Sequence, residues 1–374
     1  MQFTSLILKN VLHRPVRTIL TTLGLAIAIA AVTILVGISW NFEKSFLTLY
    51  NTKGIDLVVV RAGNSNQLSS SLDEKMADRL RQIDGVAEVA QSLVDTVAFE
   101  QENLVSVLVD GWVPGSILFR GIKLLEGRAL KPGDDKVVIL GRVLAMTLGK
   151  KAGDRVQIAG ETFDVVGIFE SESWFENGSL TIPLKTLQKI MGREGQVTGL
   201  LIQAKASDER SIKELRRRIE STIPGVAATP ARDHVQGDTQ IRLARAMAWT
   251  TAAIALFLGS VGMLNTMLMS IFERTREIGI LRAVGWRRRR VLALVLGEAL
   301  AIALLGALVG VLLAVVGLRV LTLAPTARGF ISPNLPPQVL LIALAMAVGL
   351  SLLGGLYPAA RAATLEPTEA LRYE

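Results

Sequence analysis

The sequence predicts an integral membrane α-helical protein with four transmembrane helices and a large extracytoplasmic α+β domain inserted between helices 1 and 2. Three observations carry this fold class. Half of the 374 residues are hydrophobic, only 20% are charged, and the mean hydropathy is +0.43, a balance too apolar for an ordinary soluble chain. Four uncharged runs each reach the ~20 residues that a spanning helix needs. Between the first and second runs, residues 43–245 switch to short alternating strand patterns and amphipathic helix patterns.

The charge follows the same division. The chain carries a net charge of +8 and a pI near 9.9. Residues 40–245 hold 27 Lys+Arg against 27 Asp+Glu, so the remainder holds 14 against 6. All of the excess therefore flanks the apolar runs, as in a membrane protein, and a nucleic-acid partner is not expected. There is no cysteine, which excludes a disulfide framework, a thiolate metal site and a Cys nucleophile. His13 and His234 lie far apart, so no metal centre is expected.

The runs are 18–42 between Arg17 and Glu43, 246–272 between Arg245 and Glu273, 299–318 between Glu298 and Arg319, and 329–360 between Arg328 and Arg361. They divide the chain into an N-terminal segment with helix 1 (1–42), the outer domain (43–245), helix 2 (246–272), a cytoplasmic loop (273–290), helix 3 (291–320), an outer loop (321–337), helix 4 (338–359) and a tail (360–374). Lys9, Arg14 and Arg17, then Arg274, Arg276, Arg282 and Arg287 to Arg290, then Arg361 and Arg372 mark one side. The loop between runs three and four has only Arg319 and Arg328. Both termini and the basic loop are thus expected in the cytoplasm. The ~20-residue apolar stretch of helix 1 exceeds the 7–15 of a signal peptide, so an uncleaved anchor is expected.

In the outer domain, 55–61 reads as a strand, 71–83 as a helix with Met76, Leu80 and Ile83 on one face, and 86–93 and 104–110 as strands. A similar unit returns as a strand at 199–205 and a helix at 208–223. Ile83-Asp84-Gly85-Val86-Ala87 parallels Ile223-Pro224-Gly225-Val226-Ala227, which suggests a duplicated βαβ unit. Between the copies, about 115–180, turn signals at Pro132-Gly133-Asp134, Gly153-Asp154 and Gly160-Glu161 separate short strands, with one helix near 142–148. This reads as an inserted β subdomain. Phe42, Phe46 and Tyr50 continue helix 1 outward and no Pro or Gly interrupts 239–258, so both helices are expected to project as a stalk.

No nucleotide-binding phosphate loop, zinc-protease motif, nucleophile elbow or dinucleotide fingerprint is present, so the chain is not expected to be an enzyme by itself. The informative stretch is 273–291, ERTREIGILRAVGWRRRRV. It reads as a short amphipathic helix from Arg274 to Val284, with Ile278, Leu281 and Val284 on one face and Gly285 as its stop. Glu273 and Glu277 among the arginines fit a partner protein's groove better than a lipid surface.

NTMLMSIFERTREIGILRAVG at 265–285, YPAARAA at 357–363 with EPTEALR at 366–372, and RPVRTILTTLGLAIA near the N-terminus resemble MacB-type (type VII) ABC transporter permeases, in the split form without a fused ATPase domain. The resemblance implies a coupling element for a separate ATPase, carried here by Glu273, Arg274, Glu277, Ile278, Gly279, Leu281, Arg282, Ala283 and Gly285. It implies two ABC ATPase subunits holding ATP and Mg, a second permease copy in a homodimer, and the bacterial inner (cytoplasmic) membrane. A periplasmic adaptor and an outer-membrane channel are further partners it admits. No cofactor is expected on this chain. Mechanotransmission to the outer domain would drive export of a peptide, lipoprotein, lipid or amphipathic compound. The alternative is a signalling complex that controls a cell-wall hydrolase or sensor kinase. No substrate-binding residue is assigned from the sequence.

Four further readings concern the helices. Glu298 is expected near the cytoplasmic interface in an ion pair with Arg287–Arg290 or the coupling helix. Asn265 is expected to hydrogen-bond between helices. Gly24 with Ala28, and Gly306 with Gly310, form small-residue ridges suited to close packing. Gly354-Gly355 is expected to loosen the end of helix 4.

Overall fold

The structure, a computed structural model, describes residues 15–63, 70–100, 102, 104–323 and 335–366. Lys9, His13, Arg14, Arg328 and the motif from Pro367 to Arg372 lie outside the described residues. The chain divides into two compact units, residues 1–38, 245–319 and 333–374 in one and residues 39–244 and 320–332 in the other.

Among the described residues, four helices are long and apolar enough to cross a membrane: Pro15–Lys53, Thr239–Glu273, Arg288–Leu321 and Pro337–Thr364. The first two have 39 and 35 residues, about 58 and 52 Å at 1.5 Å per residue, well beyond the ~30 Å hydrocarbon core.

Glycine decides how closely the helices of the first unit approach. A Cβ at Gly310 would stand 2.7 Å from the Ala26 carbonyl oxygen, and one at Gly306 3.0 Å from Leu25 Cβ. The ridge expected on helix 3 is therefore the one that packs. Its expected counterpart on helix 1 is corrected: Gly24 is exposed with nothing near a Cβ, Ala28 is half-buried, and the contact is made by Leu25, Ala26 and Ile29. Each residue turns 100° about the axis, so a one-residue step changes the face. Gly354 and Gly355 also pack rather than loosen. A Cβ there would lie 2.6 Å from Met263 Cβ and 2.9 Å from Ala299 Cβ, and the helix continues past Pro358 to Thr364. Replacing Gly310 by leucine is expected to destabilise the bundle by about 1–3 kcal/mol through overpacking, with Gly24→Leu nearly neutral. Thermal unfolding of the two variants in lipid nanodiscs checks this.

The second unit is built on a mixed sheet in the order β12 (Val226–Pro230), β1 (Leu57–Arg61), β11 (Gly199–Ala204), β3 (Val86–Phe99), β4 (Leu104–Trp112), β9 (Leu180–Pro183), β6 (Val137–Gly141), β8 (Glu161–Ser171), β5 (Ile122–Gly127), with β7 (Arg155–Ile158) paired to β8. Strands β1 (Leu57–Arg61), β3 (Val86–Phe99), β11 (Gly199–Ala204) and β12 (Val226–Pro230) pair antiparallel as β12-β1-β11-β3. The two expected β-α-β units thus interleave, in the manner of a split βαβ fold. Their helices, Met76–Arg81 and Glu209–Thr222, pack on one face of the sheet. The longer begins at Asp208, whose carboxylate accepts the Ser211 N–H at 3.0 Å, and buries Ile212, Leu215 and Ile219.

The strands expected in a separate inserted subdomain extend this same sheet. β9 (Leu180–Pro183) runs parallel to β4 (Leu104–Trp112), followed by β6 (Val137–Gly141), β8 (Glu161–Ser171) and β5 (Ile122–Gly127). The β4 edge would otherwise present unpaired backbone groups, which β9 satisfies. A two-residue pair, β2 (Leu72–Asp73) with β10 (Gln196–Val197), stands apart. The other face of the sheet packs a second cluster that includes Tyr50, Val58, Val60, Trp112, Leu201 and Val235. β1 alternates Leu57 and Val59 into one core with Val58 and Val60 into the other, which explains its unbroken apolar run.

Beside that second cluster, Asp110 has its pKa pushed up to about 7 by burial and by Glu176, against the opposing pull of Lys53 and a Ser179 hydrogen bond. The folded chain therefore binds more protons than the unfolded chain between the ordinary value, 3.8, and about 7. Stability should fall as pH rises through that window. Asp110→Asn is expected to stabilise this unit more at pH 8 than at pH 5, as read by thermal unfolding at the two pH values.

Candidate coupling site

The second long helix ends at Glu273, and Arg274 caps a nine-residue helix, Thr275–Ala283. Arg274 leaves helical geometry at φ −114, and its N–H still reaches the Ile271 carbonyl at 3.1 Å. The Thr275 hydroxyl donates to the Ile271 and Phe272 carbonyls, so the break between the helices is internally satisfied. The short helix closes as the sequence requires. Gly285, at φ +96, donates to the Arg282 carbonyl and Trp286 donates to the Leu281 carbonyl, both at 3.1 Å. This paired bonding needs a left-handed residue, which glycine adopts without steric cost.

Thr275, Ile278 and Gly279 are buried. Ile278 belongs to a cluster with Ile271, Val291, Val295, Ala359 and Ala362, bordered by Trp286 and Leu365. Arg276, Glu277, Ile280, Ala283 and Val284 are exposed, Ile280 at 47% and Val284 at 77%. The apolar face expected from Ile278, Leu281 and Val284 is therefore corrected. Ile278 points inward, Leu281 is half-buried, and the outward patch is Ile280, Ala283 and Val284. A three-residue step turns 300°, so two such steps sweep about 120° and cannot hold one narrow face. Gly279 likewise faces the chain's own helices and not an outside partner.

Charged groups fasten the element. Arg17 makes a two-pronged bond to Glu273, Nη1 to Oε2 at 2.7 Å and Nη2 to Oε1 at 2.6 Å. Arg274 donates through Nε to Glu277 at 2.9 Å and through Nη1 to Glu298 at 3.1 and 3.3 Å. Glu298 thus pairs with the start of the coupling helix, the second of its two expected partners. Burial by itself would lower the Arg274 pKa, but Glu298 and Glu277 more than offset it, and the net shift is upward. Arg282 donates to the Trp286 carbonyl at 3.1 Å, and Arg290 stands 4.8 Å over the Trp286 ring. The Arg17–Glu273 bond spans 256 residues and leaves no local sequence signal. Asn265 is not part of this network: it is exposed, and a further polar contact between helices 1 and 2, besides Arg17–Glu273, is Thr21 with Thr266, 3.1 Å apart.

The arrangement offers an apolar patch with flanking charges on a rigidly seated helix, a surface suited to a protein groove. Residues 18–222, more than half of the chain, match the MacB-like periplasmic core domain. The chain belongs to this family. Residues 249–367 match the FtsX-like permease C-terminal region, which contains the short helix Thr275–Ala283 and the third and fourth long helices. The chain is therefore a multi-pass membrane protein with a periplasmic α/β domain between the first and second helices.

Two relatives give the range. The macrolide export ATP-binding/permease protein MacB of Brucella melitensis is 28% identical over 390 residues, covering 96% of this chain and 58% of that protein. The uncharacterized ABC transporter permease YknZ of Bacillus subtilis is 24% identical over 394 residues, covering 98% of each. The chain thus spans 58% of the length of the MacB relative it matches. Among solved structures, the periplasmic region of MacB from Actinobacillus actinomycetemcomitans is similar at 17% identity and a TM-score of 0.40, over 51% of this chain and 96% of that one. The extracellular domain of YknZ from Gram-positive bacteria is similar at 18% identity and a TM-score of 0.37, over 47% of this chain and 98% of that one.

Proposed function

We propose that this chain is the membrane subunit of an ATP-driven transporter in the bacterial cytoplasmic membrane. A separate ABC ATPase, holding ATP and Mg, docks on Arg276, Glu277, Ile280, Ala283 and Val284. Its closure moves the coupling helix, the second long helix carries the motion, and the periplasmic domain does work on a peptide, lipoprotein, lipid or amphipathic compound. Two copies of the chain assemble with two ATPase subunits. The observation that carries this reading is the exposed apolar patch Ile280–Val284 on a helix bolted to its own bundle by Ile278 and by the Arg274–Glu298 pair. A loop that only rests on lipid headgroups needs no such anchoring.

Affinity purification of the tagged chain from membranes, followed by mass spectrometry, tests the partner. The expected result is an ATPase subunit at a stoichiometry near one per chain. Recovery of the chain without an ATPase under mild solubilisation contradicts the reading. The sidedness has its own test in this cysteine-free chain. An impermeant thiol reagent should label Asp134→Cys in intact spheroplasts, and Val284→Cys only after permeabilisation.

A further inference from the structure

A cavity of about 610 Å³ lies within the periplasmic domain, inside the 300–1,000 Å³ range of small-molecule sites. Strand alternation builds its floor. Val94 and Thr96 on β3 and Leu108 and Asp110 on β4 line it, and the register pairs Val94 with Asp110 and Thr96 with Leu108. Its wall is aromatic: Phe175 lies 4.3 Å from Phe46 and 5.3 Å from Phe42, ring centre to ring centre.

The charges around it do not balance. Lys53 comes from the first long helix, Asp110 from β4, Glu176 from the short helix Trp174–Asn177, and Asp238 and His234 from the chain at helix Ala231–Gly237. Burial pushes the His234 pKa down, with Asp238 opposing, which disfavours its charged form. Three carboxyl groups then face one ammonium. That ammonium is already engaged: Lys53 Nζ donates to the Leu118 carbonyl, lies 2.8 Å from Glu176 Oε1 and stands 4.5 Å over the Trp112 ring. Glu176 is only 5% exposed, and its Oε1 is held by this ion pair. The cavity therefore has an apolar wall and a surplus of carboxyl groups, with its one ammonium already engaged.

We propose that this cavity binds an amphipathic amine, with its apolar body among Phe42, Phe46, Leu108 and Phe175 and its ammonium on Asp110. An anion would meet Asp110, Glu176 and Asp238 with no cation to spare. A neutral amphiphile would leave the carboxyl groups as they are. An ammonium beside Asp110 favours its ionised form, so binding expels a proton where Asp110 is still protonated. Affinity should rise between pH 5.5 and pH 8. The site belongs to the periplasmic domain alone and stands whether or not an ATPase docks on the chain.

Dansylcadaverine, a fluorescent primary amine, is the probe, measured on the full chain in lipid nanodiscs with empty nanodiscs as background. The neutral N-pentyl dansylamide and the anionic dansyl-aminohexanoate are the comparison ligands. Saturable binding of the amine above background is expected, tighter than that of either comparison ligand. Asp110→Asn should weaken the amine at least tenfold, spare the neutral compound and abolish the pH dependence. Leu108→Trp, which fills the apolar part, should weaken both. Absence of saturable binding, preference for the anion, or unchanged amine binding by Asp110→Asn would each overturn the proposal. The assay contains no ATPase, so its failure leaves the transporter reading untouched.

Discussion

Replacing Lys53 by methionine is expected to destabilise the periplasmic domain by about 3–5 kcal/mol, the cost of leaving a buried charge without its partner. Lys53 and Glu176 have side chains only 2% and 6% exposed, with 2.8 Å between Nζ and Oε1. Methionine keeps most of the packing of the lysine stem. What it removes is the ammonium that also donates to the Leu118 carbonyl. The Glu176 carboxylate would retain the Ser171 hydroxyl as a donor but would lose its countercharge. For a domain of roughly 200 residues this corresponds to a fall in Tm of about 6–20 °C. Adding Glu176→Gln should restore most of the loss, because both charges are then gone. Thermal unfolding followed by tryptophan fluorescence is suitable, since Trp112 is 3% exposed and in contact with Lys53. Equal destabilisation in the single and double variants would contradict this account of the pair.

Replacing Arg274 by methionine should have the second-largest effect, about 2–3 kcal/mol. The value lies below the full cost of breaking a buried pair because Arg274 retains 21% of its side-chain exposure. Glu298 is 7% exposed, and the helix that follows Arg274 is oriented by this bond together with Ile278. Glu277→Gln is the control. Its partner bond to Arg274 is made by a carboxylate 65% exposed, so its loss should cost under about 1 kcal/mol. Hydrogen exchange over residues 271–284 should quicken in Arg274→Met, change little in Glu277→Gln, and recover in Arg274→Met with Glu298→Gln.

Much of the architecture is legible in the sequence because it rests on local patterns. The helix at Arg142–Leu148 and the strand at Arg155–Ile158 fall where turn residues and alternation place them, and Asp208 and Gly285 mark helix ends by their own chemistry. What the sequence conceals is set by pairings across long separations. The interleaving of the two β-α-β units and the joining of β9 to β4 depend on which edges meet, and periodicity carries no information on that. The inward turn of Ile278 and Gly279 depends on where helices 3 and 4 lie. Asp110 reads in the sequence as the end of an ordinary strand. Its surroundings come from Lys53 on one side and Glu176 on the other, which no spacing rule connects.

On the proposed reading, the exposed face of the coupling helix receives an ATPase and controls it. Gly279→Leu is a poor probe, since Gly279 is buried within the chain's own bundle. Ile280→Glu and Val284→Glu are better, because both side chains are exposed and neither contributes to the buried cluster beneath the helix. Burying an exposed apolar side chain is worth about 1.5–3 kcal/mol, less for Ile280 at 47% exposed, and a glutamate buried there without a partner adds a further cost, so tenfold or more in affinity is at stake. The decisive measurement is ATP hydrolysis by the co-purified ATPase as the chain is titrated in, for wild type and both variants. Wild type should give saturable stimulation, and Ile280→Glu and Val284→Glu at least a tenfold rightward shift or no stimulation, with folding unchanged. Stimulation by both variants at wild-type concentrations would contradict it.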